Sequence, residues 1–202
     1  MSSRLTTKRQ GQRAPLSREA VIGAARDMIA ELGHESLSLR PLAKRLGVTA
    51  AALYAHVEDK LDLLRAVAEG EYARAAQRYQ AIDSDDPIER LKHISHSYVA
   101  YARANPELFR VMFMFPPVIV SKSGNAQSAA AQQAFDLAAR EVERAMEQGK
   151  IRPGDPMLKS LSIWAAVHGA ASFVLTGRDL DTDIEDKLVS TVVDNLLAGM
   201  AP

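Results

Sequence analysis

Arg40, Lys44 and Arg45 stand close together in one stretch of this chain, and Arg40 and Lys44, four apart, share one side of any helix that carries them. Such a group is either a solvated helix face or a contact to phosphates and base edges. His93 and His96 have the three-residue spacing of two metal ligands on a helix, but no third ligand accompanies them, so no metal is expected. Trp164 and His168, one helical turn apart, either line a ligand cavity or fill a core with the imidazole hydrogen-bonded to a carbonyl. Met112, Phe113, Met114, Phe115, Phe135 and Phe173 supply the flexible thioethers and aromatic rings that suit a core and, equally, an apolar pocket. Covalent chemistry has little support. The chain has no cysteine, which excludes disulfides, thiolate nucleophiles and cysteine-held metals. Nucleophile elbow, phosphate-binding glycine loop and metal-hydrolase motif are all missing from the sequence, so neither an enzyme nor a cofactor is expected.

These side chains need elements to hold them, and every periodic stretch reads as helix. Val21, Ala25, Met28 and Leu32 mark one face of a helix from about Ser17, its cap, to Leu32, with Gly33 as the stop. A second helix runs from near Ser38 to Leu46 and buries Leu39, Leu42, Ala43 and Leu46, with Pro41 tolerated in its first turn. Gly47, Val48 and Thr49 make a three-residue turn, and Thr49 caps a short helix over 50–56. Longer helices are predicted from Glu58 or Asp59 to about Gln80, over 87–104 and 106–114 behind the caps Asp86 and Asn105, then over 126–149, 157–176 and 183–198. The fold class is therefore all-α.

At 202 residues and 47% hydrophobic, the chain can bury a substantial core. Its formal charge is zero, yet residues 1–60 carry ten basic and six acidic side chains, a net +4 balanced by −4 in the remainder. A basic head on a mildly acidic body fits a polyanion-binding module attached to a part with another task. The organisation predicted is a flexible basic arm over 1–14, a DNA-binding domain over 15–62 and a C-terminal domain over 63–202. The most apolar stretch, Leu161 to Leu175, reads as too short for a membrane span, and the N-terminus lacks a signal-peptide core, so a cytoplasmic protein is expected.

Residues 37–60, LSLRPLAKRLGVTAAALYAHVEDK, form a helix-turn-helix pattern: Gly47 turns the chain, Val48, Ala52 and Leu53 lock the second helix to the first, and Ala50 to Ala52 leave its start slim enough for the major groove. With Leu53-Tyr54, His56 and Lys60 following the turn, the segment resembles the DNA-binding domain of the tetracycline-repressor (TetR) family over roughly residues 17–65. The resemblance implies that Arg40 reaches a base or phosphate, that Thr49, Ala50 and Ala51 face the groove, and that Tyr54, His56 and Lys60 grip the backbone. Lys44 adds a further cation on the same helix. Ala55 departs from the family pattern and offers only apolar contact, which leaves Arg40 as the main reader of sequence. Trp164 to Gly169, WAAVHG, fits a tryptophan–histidine–glycine motif of one subgroup, and Asn105 to Phe113 resembles a segment found before its ligand pocket.

The expected function is a ligand-responsive regulator, most often a repressor in this family, that binds a palindromic operator in double-stranded DNA as a homodimer and is released by a small apolar effector. Met112, Phe113, Phe115, Phe135, Trp164 and His168 are the candidate effector contacts. The helix over 157–176 is apolar nearly all round, and Ile184, Leu188, Val192 and Leu196, widened by Val189 and Val193, exceed what one packing partner covers. Pairing of these two helices with a second copy is expected. A small all-α enzyme and a protein-binding scaffold are the alternatives, separated from the first reading by salt-sensitive binding to duplex DNA.

Overall fold

The computed structural model describes residues 15–116, 128–176 and 181–202, and every regular element among them is a helix. The helices are α1 (Arg18–Leu32), α2 (Leu39–Leu46), α3 (Ala50–Leu53), α4 (Lys60–Gln80), α5 (Pro87–Ala104), α6 (Pro106–Phe113), α7 (Ala129–Glu147), α8 (Pro156–Thr176) and α9 (Thr182–Met200).

Local chemistry explains most of these boundaries. Ser17, Thr49, Asp59, Asp86, Ser128 and Asp181 each accept a hydrogen bond from a free backbone N–H in the first turn of the helix they precede. Gly47 ends α2 in the left-handed conformation (φ 68°, ψ 33°), where its N–H meets the carbonyls of Ala43 and Lys44. Asn105 differs from its expected role: its side chain does not cap α6 but donates to the Tyr101 carbonyl at the end of α5, 3.3 Å away. The arm over 1–14 and the loop around Ser121 to Asn125 lie outside the described residues.

Two large packed regions fill the molecule, and a smaller cluster of Ala75, Ala76, Tyr79, Ile94 and Ala134 packs α4 against α5 and α7. Val21, Ile29, Leu42, Leu53 and Val57 gather around Leu63, Leu64 and Val67 of α4, with Leu108, Val111 and Phe115 closing the far side. Beyond it, α5 and α8 pack with α7 and α9 through Leu91, Phe109, Val142, Val167 and Val193. The expected boundary between residues 62 and 63 falls in the first turn of α4, which runs on without a break for 21 residues.

Helix α9 buries Glu185, Val189, Val193, Leu197 and Met200, while Ile184 is exposed and Leu188, Val192 and Leu196 are half-covered, so part of its wide apolar stripe is left uncovered. One expectation about α8 needs correction. Helix α8 is long and apolar enough by length and composition to cross a membrane, contrary to the reading of 161–175 as too short, because its alanines, glycine and serines interrupt the apolar run only weakly. Here one side of it is seated against α5, α7 and α9, and only a third of its apolar stretch is buried.

Candidate nucleic-acid interface and ligand cavity

Helices α2 and α3 form a helix-turn-helix held from beneath by α1 and α4. The N–H of Val48 reaches the Ala43 carbonyl at 3.0 Å, and Leu42, Ala43 and Leu53 are fully buried, so the two helices share one small core. Arg40, Lys44, Ala51 and Tyr54 are exposed, Tyr54 at 60%. Neither Arg40 nor Lys44 has an ion pair or a side-chain hydrogen bond among the described residues, so both are free for an anion. Arg45 is spoken for: its guanidinium makes a bidentate pair with Glu31 at 2.6 and 2.7 Å and pins α2 to α1.

The remaining predicted contacts carry structural duties. Thr49 accepts from the Ala52 N–H at 3.3 Å and caps α3, while Ala50 packs against the core and is half-buried. Helix α3 ends at Leu53, short of the expected residue 56, and a tight turn carries Tyr54 to His56. Arg18 stops it there. Its guanidinium donates to the His56 carbonyl and, bidentately, to Asp62 at 2.8 and 3.1 Å, and Asp62 also accepts from the Glu58 N–H at 3.0 Å. Arg18 holds the Asp62 carboxyl below the usual carboxylate range. Lys60 donates to the Glu35 carbonyl at 3.1 Å, which leaves two of its three N–H donors for a phosphate. Because Arg18 and Asp62 fix the turn after α3, Asp62→Ala is expected to cost about 1 kcal/mol of stability, as a largely solvent-screened pair should. Its operator affinity should fall several-fold; a melting shift with no change in operator binding would remove the positioning role.

The second site is a cavity of about 70 Å³ between α4, α5, α7 and α8, closed at one end by Met112 of α6. Met112, Phe135 and Trp164, among the candidate effector contacts, line it. Phe113 and His168 stand beside it: the Phe113 ring stacks on the imidazole at 4.2 Å and on the Trp164 indole at 6.4 Å, and 45% of Phe113 is exposed. Phe115 does not reach the cavity. It is buried in the core under the helix-turn-helix, with the Arg65 guanidinium 5.7 Å above its ring.

Sequence reasoning missed the tyrosines. Tyr72 and Tyr79 of α4 and Tyr98 of α5 also line the cavity, and the seven-residue spacing of the first two, which places them on one helix face, was the available signal. Tyr72 donates to the Met112 carbonyl at 3.0 Å. The Tyr98 hydroxyl lies 2.9 Å from Nδ1 of His168, whose Nε2 is 3.3 Å from the Ser172 hydroxyl. Burial lowers the His168 pKa, which favours the neutral imidazole between these two hydroxyls. His93 and His96 bring no third ligand together, and among the described residues no cluster of three or more metal-ligating side chains occurs.

A buried carboxylate joins the two regions. Glu71 of α4 is fully buried and meets Arg26 of α1 at 2.6 Å, Arg74 at 2.7 Å and the Tyr101 hydroxyl of α5 at 2.6 Å. Nothing local in the sequence marks it, since Arg26 and Tyr101 lie 45 and 30 residues away.

Comparison with known proteins agrees with both halves of this geometry. Residues 21–67 match the family model for bacterial regulatory proteins of the tetR family, and residues 91–196, more than half the chain, match that for the tetracyclin repressor-like C-terminal domain. The nucleoid occlusion factor SlmA of Marinobacter nauticus is 28% identical over 142 residues, which are 69% of this chain and 71% of that protein. The class C tetracycline repressor protein of Escherichia coli is 50% identical over 54 residues, 27% of this chain and 25% of that one. A solved structure of a protein with unknown function from Rhodococcus sp. RHA1 superposes with a TM-score of 0.80 at 28% identity, covering 96% of this chain and all of the other.

Proposed function

The chain belongs to the tetracycline-repressor family of DNA-binding transcriptional regulators, and from that premise we propose that it is a repressor, a homodimer bound to a palindromic operator and released by a small apolar effector. In this reading residues 15–62 bind DNA, the arm over 1–14 adds cations, and residues 63–202 sense and dimerise. A DNA-binding regulator of this kind works in the cytoplasm, where the chromosome is.

The observation that carries the proposal is the continuity of α4. Its first residue, Lys60, belongs to the DNA-binding surface, and Tyr72, Ala75 and Tyr79 further along form a wall of the cavity. An apolar cavity of about 70 Å³ is roughly half the volume, about 150 Å³, of an engineered one that admits benzene. An effector therefore enters only by moving walls, and α4 is one of them. Because binding energies are linked, an effector that weakens operator binding about 5- to 150-fold must itself bind that much more weakly to the operator complex.

Two cations, Arg40 and Lys60, give the DNA reading its test. Arg40→Ala is expected to lower operator affinity by about 1–3 kcal/mol and to relax base preference at one position of each half-site, if its contact is bidentate to a base. Lys60→Ala should weaken all sequences about equally and flatten the salt dependence. Selection of bound duplexes from a random pool, repeated with each variant, reads both effects. An Arg40→Ala protein that selects the wild-type sequence would take base reading away from this residue, and a selected pool with no inverted repeat would end the dimer-on-palindrome reading.

A further inference from the structure

The cavity has no charged side chain among its lining residues. A carboxylate or ammonium placed there would lose its water and gain no counter-charge, a cost of several kcal/mol. Arg90, which reaches the Tyr79 carbonyl, also bonds that of Ile82 and pairs with Glu141.

The cavity's hydroxyls are almost all taken. Ser95 and Ser160 donate to carbonyls one turn back in their own helices, those of Leu91 and Pro156, at 2.7 and 2.8 Å. Tyr72 donates to Met112 and Tyr98 pairs with His168. Tyr79 is different. It is only 5% exposed and lines the cavity, but its hydroxyl has no hydrogen-bond partner among the described residues. Burial pushes this phenol's pKa up to about 12, so its proton stays in place. A donor with no acceptor in the protein is left to water, or to an acceptor that a ligand brings into the cavity.

We propose that the cavity takes a small uncharged molecule, apolar except for a single acceptor oxygen of the ketone, ester or ether kind, seated against the Tyr79 hydroxyl. This rests on the reading of the cavity as the effector site and names the chemistry of the effector. The surrounding Ala75, Ile94, Ala134 and Ala138 meet the hydrocarbon part, and Met112 and Phe135 yield by rotation to make room.

Three compounds of one ring size test this with the full-length protein: cyclohexanone, methylcyclohexane and cyclohexanecarboxylate at pH 7, measured by calorimetry. Cyclohexanone should bind, and Tyr79→Phe should weaken it about 3- to 10-fold, the weight of one hydrogen bond, with methylcyclohexane changed less than about twofold. Cyclohexanecarboxylate should show no binding. The carbonyl stretch of cyclohexanone bound to the wild-type protein should move below its frequency in hexane, which reports the hydrogen bond without any variant. A carboxylate that binds as well as the ketone, a hexane-like carbonyl frequency, an unchanged ketone affinity in Tyr79→Phe, or failure of all three compounds to bind would each overturn the proposal. Ketone binding that leaves operator affinity untouched would support this chemistry and end the effector reading. Operator release by a charged compound alone would do the reverse.

Discussion

Gly169→Arg should convert the protein from a dimer into a folded monomer of 22.0 kDa and weaken operator binding by about 100-fold or more, the loss expected when two linked heads become independent. Along α8, Leu158, Ser162, Ala165, Gly169 and Phe173 recur at steps of four, three, four and four and are all exposed, with Leu158 at 63% and Phe173 at 52%. Beside them on α9 stand Ile184, 53% exposed, and the half-covered Leu188 and Val192. Both helices thus expose rows of apolar and small residues, the kind of surface that an assembly covers. The small central residues of α8 allow two helix backbones to approach closely. A Cβ added at Gly169 meets nothing within 4 Å, so the chain itself has room for arginine. Mid-helix, the change even gains helix propensity, by about 1 kcal/mol at most. A partner helix lying on that face has no room for it. Sedimentation, circular dichroism and operator titration together read the outcome, with Gln133→Arg on the exposed side of α7 as the control. A Gly169→Arg protein that still sediments as a dimer would move the interface elsewhere.

The helices and the DNA-reading head were legible because their signals are local. Ser17, Asp59 and Asp86 with Pro87 announce helix starts within three residues, and Gly47 announces the turn of the helix-turn-helix. Where the outcome depends on partners far along the chain, the sequence is silent. Arg18 ends α3 from 38 residues away, and Arg45 looks like a free cation until Glu31, fourteen residues back, is seen to hold it. Which part of the wide stripe of α9 is buried was not legible, because Ile184, Leu188, Val192 and Leu196 are as apolar as Val189, Val193 and Leu197. Only the position of α8 decides between them. Phe115 illustrates the same limit. Its neighbour in sequence, Met112, reaches the cavity, but the turn after α6 swings Phe115 back into the first core.

Arg26→Met should lower the stability of the whole chain by about 2–3 kcal/mol, which for a protein of this size moves the melting midpoint down by roughly 5–12 °C. Glu71 is fully buried, and Arg26 approaches its Oε1 from α1, the first helix of the DNA-binding part. The methionine keeps the bulk of the stem but strands the carboxylate with Arg74, a half-exposed residue of the same helix, and the Tyr101 hydroxyl. Breaking a buried pair from one side typically costs about 3–5 kcal/mol; the remaining partners and the 29% exposure of the Arg26 side chain place the expected loss at the lower end. Removing both charges should behave differently. In Arg26→Met/Glu71→Leu no unpaired charge remains in the core, so most of the lost stability should return, and the double-mutant cycle should give a coupling energy above about 1 kcal/mol. Arg74 and Tyr101 can turn to water or to each other, since Arg74 is half-exposed and Tyr101 already lies under the Arg78 guanidinium at 4.8 Å. Melting each protein at one fixed concentration keeps assembly from entering the comparison. A single variant as stable as the wild type would mean that solvent reaches Glu71 and that α1 is held to α4 by its apolar face alone; a double variant no better than the single would mean that the cost lies in lost packing around Arg26 rather than in the buried charge.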